Sequence, residues 1–253
     1  MNFAYDSVCY RKNYIQEVIC KFDFASEITL FKKSMPKKIY EVVKKFYPIA
    51  EPQDIIGAEL QINMMNSANT SLNQVFAKHW RFLSRDRKSV CTITFEGVAF
   101  TWCEYNVFED ISNAITDIMS IILGEFPDIQ GKRMGLRYIN NLPMKNHNDW
   151  IDNKFFVAFD AHKDENTTRL VTLLEYSVIE HDISVRLNYG YYNPDYPSIM
   201  KSEDFIIDVD AYTSGIIYKE DLVKLVQDMH FEDQKCFELM ITDGFREFLN
   251  QVD

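Results

Sequence analysis

Glycine is scarce, with 8 in 253 residues. Loops that cradle phosphate through bare backbone have little material here, and neither a G-x-x-x-x-G-K-[ST] nor a G-x-G-x-x-G pattern occurs. No serine stands in a G-x-S-x-G elbow, and no H-E-x-x-H is present. Cysteine is limited to five residues, at 9, 20, 91, 103 and 236, with wide spacings and no C-x-x-C. An odd, scattered set argues against a disulfide framework and fits reduced thiols in a cytosolic protein, most of them packing residues. Long apolar runs are missing too. None approaches the ~18 residues of a membrane span, and the first twenty residues carry Asp6, Arg11, Lys12 and Glu17 where a signal peptide would need an apolar core. The expectation is a cytoplasmic chain with no membrane, metal or cofactor.

Apolar residues are plentiful. They make up 47% of the chain, with 19 Phe and 14 Tyr, enough for a full globular core. Net charge is −11, so the long-range field repels phosphate backbones. The charge is uneven: residues 1–50 hold nine Lys/Arg against five Asp/Glu, and residues 201–253 hold five against thirteen. Solvated faces explain this asymmetry, and so do complementary surfaces within one molecule or between copies. Nucleic acid is not expected as a partner except through the basic N-terminal quarter.

Period-two alternation marks strands at Glu17–Phe24, Ile56–Met64, Val75–Ser84, Val90–Phe95 and Val98–Tyr105, the last three joined by short turns at Asp86-Arg87-Lys88 and Glu96-Gly97. Pro36, the apolar set Ile39, Val42, Val43 and Phe46, and Pro48 frame a short helix with lysines 37, 38, 44 and 45 outward. A longer helix is expected from an Asn106 cap with Glu109 as its capping-box partner, ending at Gly124 and Pro127. The second half reads similarly, with strands at Lys132–Asn140, Lys154–Phe159, Arg169–Val178, His181–Tyr191 and Asp204–Tyr212. A closing helix runs from about Lys219 and kinks near Gly244. The fold class is therefore α+β, with antiparallel sheets gripping long helices in two pseudo-repeated halves. Residues 1–130 and 131–253 form those halves, packed as a single compact unit.

The segment Gly135-Leu136-Arg137-Tyr138-Ile139-Asn140 stands out. On a strand, Leu136, Tyr138 and Asn140 share one face, and Arg137 and Ile139 the other. Buried polar groups need partners, so Arg137, Tyr138 and Asn140 mark a polar lock or a site. If Arg137 is buried and paired, its replacement by alanine costs about 3–5 kcal/mol. With this strand, Gln16–Phe22, Ile207-Asp208-Val209-Asp210 and the run from Leu225 to Glu247, the chain resembles a sporadically distributed group of uncharacterised prokaryotic proteins of similar length. His230, Phe237, Ile241-Thr242 and Phe245-Arg246-Glu247 match that group's closing helix. The resemblance spans nearly the whole chain. It implies the patchy distribution of accessory and anti-phage defence genes and no catalytic residues.

Other constellations are weaker. Asp208 and Asp210 share a strand face with Ile206; they suit a divalent cation, a solvated face, or a structural Arg137–Asp208 pair. Asp160, His162 and Asp164 alternate as metal ligands do, in a segment with loop composition. Glu180-His181-Asp182 reads as a turn. His79 with Cys91 or Cys103 is the one imaginable thiol pairing, set against ordinary core cysteines. A rigid loop, Asn193-Pro194-Asp195 with Pro197, gathers Tyr191, Tyr192 and Tyr196 for recognition or for covering a sheet edge. The leading expectation is a non-catalytic interaction or accessory protein, a sensor or adaptor in a defence-type gene cluster, with a protein partner, for which a second copy of itself is one option. A small-ligand binder with an aromatic cavity is the alternative, and a metal-dependent hydrolase or nuclease at Asp208 and Asp210 is the third.

Overall fold

The structure is a computed structural model that describes residues 9–63, 69–144, 147, 149–156, 159, 166–180, 182–201 and 204–251, with backbone alone from 57 to 63 and 69 to 75. The strands are β1 (Ile15–Phe24), β2 (Ile49–Ala50), β3 (Gln53–Asn63), β4 (Asn69–Leu83), β5 (Ser89–Ile93), β6 (Gly97–Trp102), β7 (Gly131–Pro143), β8 (Leu170–Val178), β9 (Ile183–Tyr191) and β10 (Asp204–Ile217). The helices are α1 (Lys37–Phe46), α2 (Phe108–Glu125), α3 (Leu222–Met240) and α4 (Asp243–Asn250). One continuous antiparallel sheet takes the order β2-β4-β5-β6-β1-β7-β10-β9-β8, with β3 paired along the far part of β4. The sequence led us to expect more than one sheet. The β1–β7 ladder, running from Ile15↔Asn140 to Phe24↔Gly131, makes it one.

Alternation decides what each face does. Val18, Cys20, Phe22 and Phe24 of β1, Met134 and Leu136 of β7, and Val209 and Ala211 of β10 are buried. They share one core with Ile115, Ile118 and Ile122 of α2 and with Val226 and Met229 of α3. Each large apolar side chain in such a core contributes about 1.5–3 kcal/mol. Helix α3 lies on β10, β7 and β9 and also touches α2, which packs against α1. The opposite sheet face is polar and half-exposed.

Several boundaries depart from the sequence reading, each for a local reason. The strand expected over Lys154–Phe159 is not formed at the described residues 154–156 and 159. A 3-10 turn occupies Asn153–Phe155, capped by the Asp152 carboxylate accepting from the Lys154 amide, and Phe156 and Phe159, three apart, both pack on Phe205. Helix α2 starts at Phe108 rather than after Asn106. Its cap, Val107, makes no side-chain hydrogen bond, and Glu109 and Asp110 in the first turn supply the favourable charge instead. The break in the closing helix is not at Gly244. Ile241 is extended and bridges Ile151, and Thr242 caps α4 by accepting from the Phe245 amide while donating to the Asp149 carbonyl. Pro52 separates β2 from β3, since it has no N–H for the ladder; Met64, the expected end of β3, and the loop residues 66–68 lie outside the described residues.

Gly190 has φ +142, and a Cβ there would meet the Leu170 carbonyl oxygen at 2.1 Å. Gly190→Ala is expected to cost about 1–3 kcal/mol and to loosen β8 from β9. Urea denaturation and amide exchange over residues 170–178 check this, and an unchanged midpoint refutes it.

Candidate ligand-binding cleft

Strand β7 has partners on both edges, β1 and β10, and its residues divide between two environments. On the polar face, Arg137 stands opposite Asp210 in register but reaches diagonally to Asp208. Its Nε donates to Oδ1 at 2.6 Å and its Nη2 to Oδ2 at 2.7 Å. Asn188 of β9 adds a bond to Oδ2 at 3.3 Å. This forked pairing holds the arginine charged, its pKa raised chiefly by the Asp208 hydrogen bonds. Arg133 lies 3.5 Å from Asp210, whose pKa burial raises. Arg186 bonds Glu175, which also accepts from the Tyr212 hydroxyl. Asp208 and Asp210 thus sit in an arginine ladder, and the suggested Arg137–Asp208 pair is present.

On the helix side, Tyr138 and Asn140 line a cleft enclosing about 100 Å³. Arg137 and Tyr138, neighbours in the motif, therefore work on opposite faces. The cleft is closed by the segment from Cys9 to Ile15, by Tyr105, by Leu249 and by one face of α3. That face carries His230, Asp233, Gln234, Phe237 and Glu238, at helical spacings of three, four, seven and eight from His230. Lys12 ties the entering segment down through its amide, which donates to the Leu249 carbonyl, and Asn141 bonds the Tyr14 carbonyl.

The polar groups of the cleft are held unequally. The Tyr138 hydroxyl and His230 Nδ1 share a hydrogen bond at 3.0 Å. The imidazole stacks on Phe108 with ring centroids 3.7 Å apart, and burial lowers its pKa to about 4, so it is neutral at pH 7. Tyr105 meets Tyr138 edge to face. Asn140 donates to the Ile207 carbonyl at 3.3 Å. Glu238 accepts from the Tyr10 hydroxyl at 2.7 Å and from Arg246 Nε at 2.8 Å. Asp233 differs from all of these. It is 2% exposed, and neither carboxyl oxygen has a hydrogen-bond partner. Burial pushes its pKa well above the usual carboxylate range; Asp210 adds to this, the Ala211 backbone opposes it, and Asp208 and Glu232 add smaller amounts.

Sequence reasoning named Tyr138 and Asn140 from the strand pattern, noted His230 only as a match to a closing helix, and missed Asp233. A signal existed. Leu222, Val226, Met229, Asp233, Cys236 and Met240 are all buried and follow one another at spacings of four and three. An acid in that stripe occupies a core position. The tyrosines of the 193–197 loop do not act together: Tyr191 is buried among Phe156, Phe159 and Phe205, whereas Tyr192 and Tyr196 are exposed. Cys91 is buried in the core and Cys103 is exposed. Asp160, His162, Asp164 and His181 lie outside the described residues. Among the described residues no group of three or more His, Cys, Asp or Glu is placed to hold a metal ion, and no helix is long and apolar enough to cross a membrane.

Asp208 is 6% exposed on its side chain but Arg137 is 40% exposed, so water partly re-solvates Asp208 when the arginine is removed. Arg137→Ala is therefore expected to cost about 1–3 kcal/mol rather than the 3–5 of a fully buried pair. Urea denaturation measures it; a loss below 0.5 kcal/mol, as an order-of-magnitude bound for surface pairs, would show that the fork is not structural.

No protein-family model matches this chain and no curated protein matches it, so the reading of its function rests on the chemistry of the cleft.

Proposed function

We propose that this chain is a non-catalytic binding protein that takes a small ligand in the cleft between β7, α3 and the segment leading into β1. The observation that carries the reading is Asp233, a buried carboxyl without a partner on the lining of an aromatic-walled cleft. A group held at a cost in a folded core, next to open space, is what a binding site looks like before its ligand arrives. The imidazole of the lining favours recognition over bond-making, since His230 is neutral and stacked on Phe108.

The two-half architecture is part of the same proposal. Outward from the β1–β7 pair, the order runs β6-β5-β4 on one side and β10-β9-β8 on the other. A long helix follows β6 and another follows β10. This supports residues 1–130 and 131–253 as equivalent units, with the cleft on the α3 side. A cytoplasmic, defence-associated setting is consistent with the reduced, scattered cysteines and with the family resemblance.

A second reading, association with another copy of the chain, is favoured by the edge strand β8. Leu173, Leu174 and Tyr176 are exposed along it and Ile179 follows just beyond. Such an edge offers unpaired backbone for strand addition. Sedimentation of the wild type beside Leu174→Lys is expected to show a dimer in the first and a monomer in the second; a monomeric wild type at high concentration removes this reading. A hydrolase at Asp208 and Asp210 draws less support, because arginines engage both carboxyls.

Asp233→Asn tests the main reading. The folded pKa of Asp233 is raised above its ordinary 3.8. The carboxyl's favourable protonated form is therefore fully present below that value, and stability is lost as pH rises through the folded pKa. The asparagine variant escapes this loss. It is expected to match the wild type at pH 4 and to exceed it by about 1–3 kcal/mol at pH 8, while losing ligand-dependent thermal shifts. Chemical denaturation at the two pH values checks the first part. A destabilised variant at pH 8 would mean that the carboxyl has a structural partner after all.

A further inference from the structure

Resting on the ligand-binding reading, we propose that the group recognised at Asp233 is a planar, two-pronged cation, an amidinium or guanidinium. Three features of the cleft point there. First, both oxygens of Asp233 lack partners. Two adjacent acceptors match two parallel N–H groups better than they match one hydroxyl, and amidinium or guanidinium supplies that fork. Second, the lining that holds Asp233 is rich in rings: Tyr105 and Tyr138 pack edge to face, and His230 and Phe237 stand on the helix face that carries Asp233. Aromatic faces attract a desolvated cation and stack on a planar one. Third, three of the polar side chains that line the cleft beside Asp233 are already engaged. Tyr138 is bonded to His230, Asn140 to the β10 backbone, and Glu238 to Tyr10 and Arg246. The buried carboxyl of the described lining that has no hydrogen bond is thus a pair of acceptors needing donors and positive charge.

Alternatives fit less well. An anion would meet Glu238 and an acid that it would keep from ionising, and the lining lysine, Lys12, holds its ammonium over the Phe248 ring. A neutral amide can donate to one oxygen but brings no charge to compensate a desolvated carboxylate. A primary ammonium has the charge but no planar fork to match both oxygens and the rings together. The cation can belong to a free metabolite or to an arginine displayed by a polypeptide, and the two sources share the same contacts at Asp233.

The proposal is tested with two isosteric pairs, observed by NMR on the full chain with labelled aromatic rings. Benzamidine is compared with neutral benzamide as a free ligand. Acetyl-arginine methylamide is compared with acetyl-citrulline methylamide as a displayed side chain. At least one cationic member is expected to bind tenfold or more tightly than its neutral twin, with shifts at Tyr105, Tyr138 and Phe237. Asp233→Asn is expected to erase that preference while Arg137→Ala, on the other sheet face, leaves it intact. Preference in the benzamidine pair assigns a free ligand; preference confined to the arginine pair assigns a displayed arginine. Equal binding of charged and neutral members overturns the cation, and a preference that survives Asp233→Asn overturns its recognition at Asp233; either leaves the cleft as a ligand site. Absence of any shift at the cleft from all four compounds overturns both readings.

Discussion

The structure depends on the pairing of β7 along both of its edges. Hydrogen bonds to β1 on one side and β10 on the other fix its register over nearly its whole length. Register in turn fixes face, because a one-residue slip would exchange every inward side chain for an outward one. With the register set, Met134, Leu136, Tyr138 and Asn140 must point toward the helices, and Arg133 and Arg137 must point away. The same constraint on β10 sends Val209 and Ala211 inward and Asp208 and Asp210 outward, within reach of those arginines. The core, the cleft and the arginine ladder are three consequences of one ladder of backbone bonds.

Helix α3 then meets a surface that is apolar along most of its length and polar at one end. Its buried stripe is continuous from Leu222 to Met240 except at Asp233. The flanking acids are provided for: Glu232 lies 3.1 Å from Lys235, and Glu238 is bonded to Arg246, which also reaches Asp243 and so clamps α4 against the end of α3. Asp233 has no such arrangement. Leucine or methionine would suit its position in the stripe, and the cost of the carboxyl falls on the fold. Departures from local consistency of this kind concentrate where structure serves function, which is why one residue carries so much of the functional reading.

What could be read from the sequence was whatever depends on period. Strands β1, β4 to β7 and β8 to β10 follow from alternation and turn residues, as does the division of Leu136, Tyr138 and Asn140 from Arg137. What escaped depends on contacts made far along the chain. Lys154–Phe159 has a strand's composition, but Phe156 and Phe159 find Phe205 only once the turn places them three apart on one face. Asn106 resembles a cap, yet α2 begins where Phe108 meets His230, more than a hundred residues away. Tyr191 and Tyr192 are adjacent and chemically alike, and the pleat alone sends one into the core and the other into solvent. The acid in α3 was visible as an interruption of a four-three spacing, but a stripe defined by its apolar members passes over the interruption.

The state of the ionisable groups bears on what the cleft can do. A general acid or base works best with a pKa near the ambient pH, and a nucleophilic thiol must reach the thiolate form. Burial moves His230 down to about 4, so the imidazole of the cleft is held neutral across the physiological range; Cys236, outside the lining and against Tyr176, is moved up to about 11. Asp233 is raised, but among the described residues its oxygens make no side-chain hydrogen bond through which to relay a proton. Neutral, stacked and mutually bonded groups around one uncompensated carboxyl suit holding a ligand better than transforming it. Charge supplied by that ligand would convert the least comfortable residue of the core into a bonded one. Binding would therefore be coupled to the stability of α3 and of the strand pair beneath it, so a bound ligand would be felt through the same backbone ladder that builds the fold.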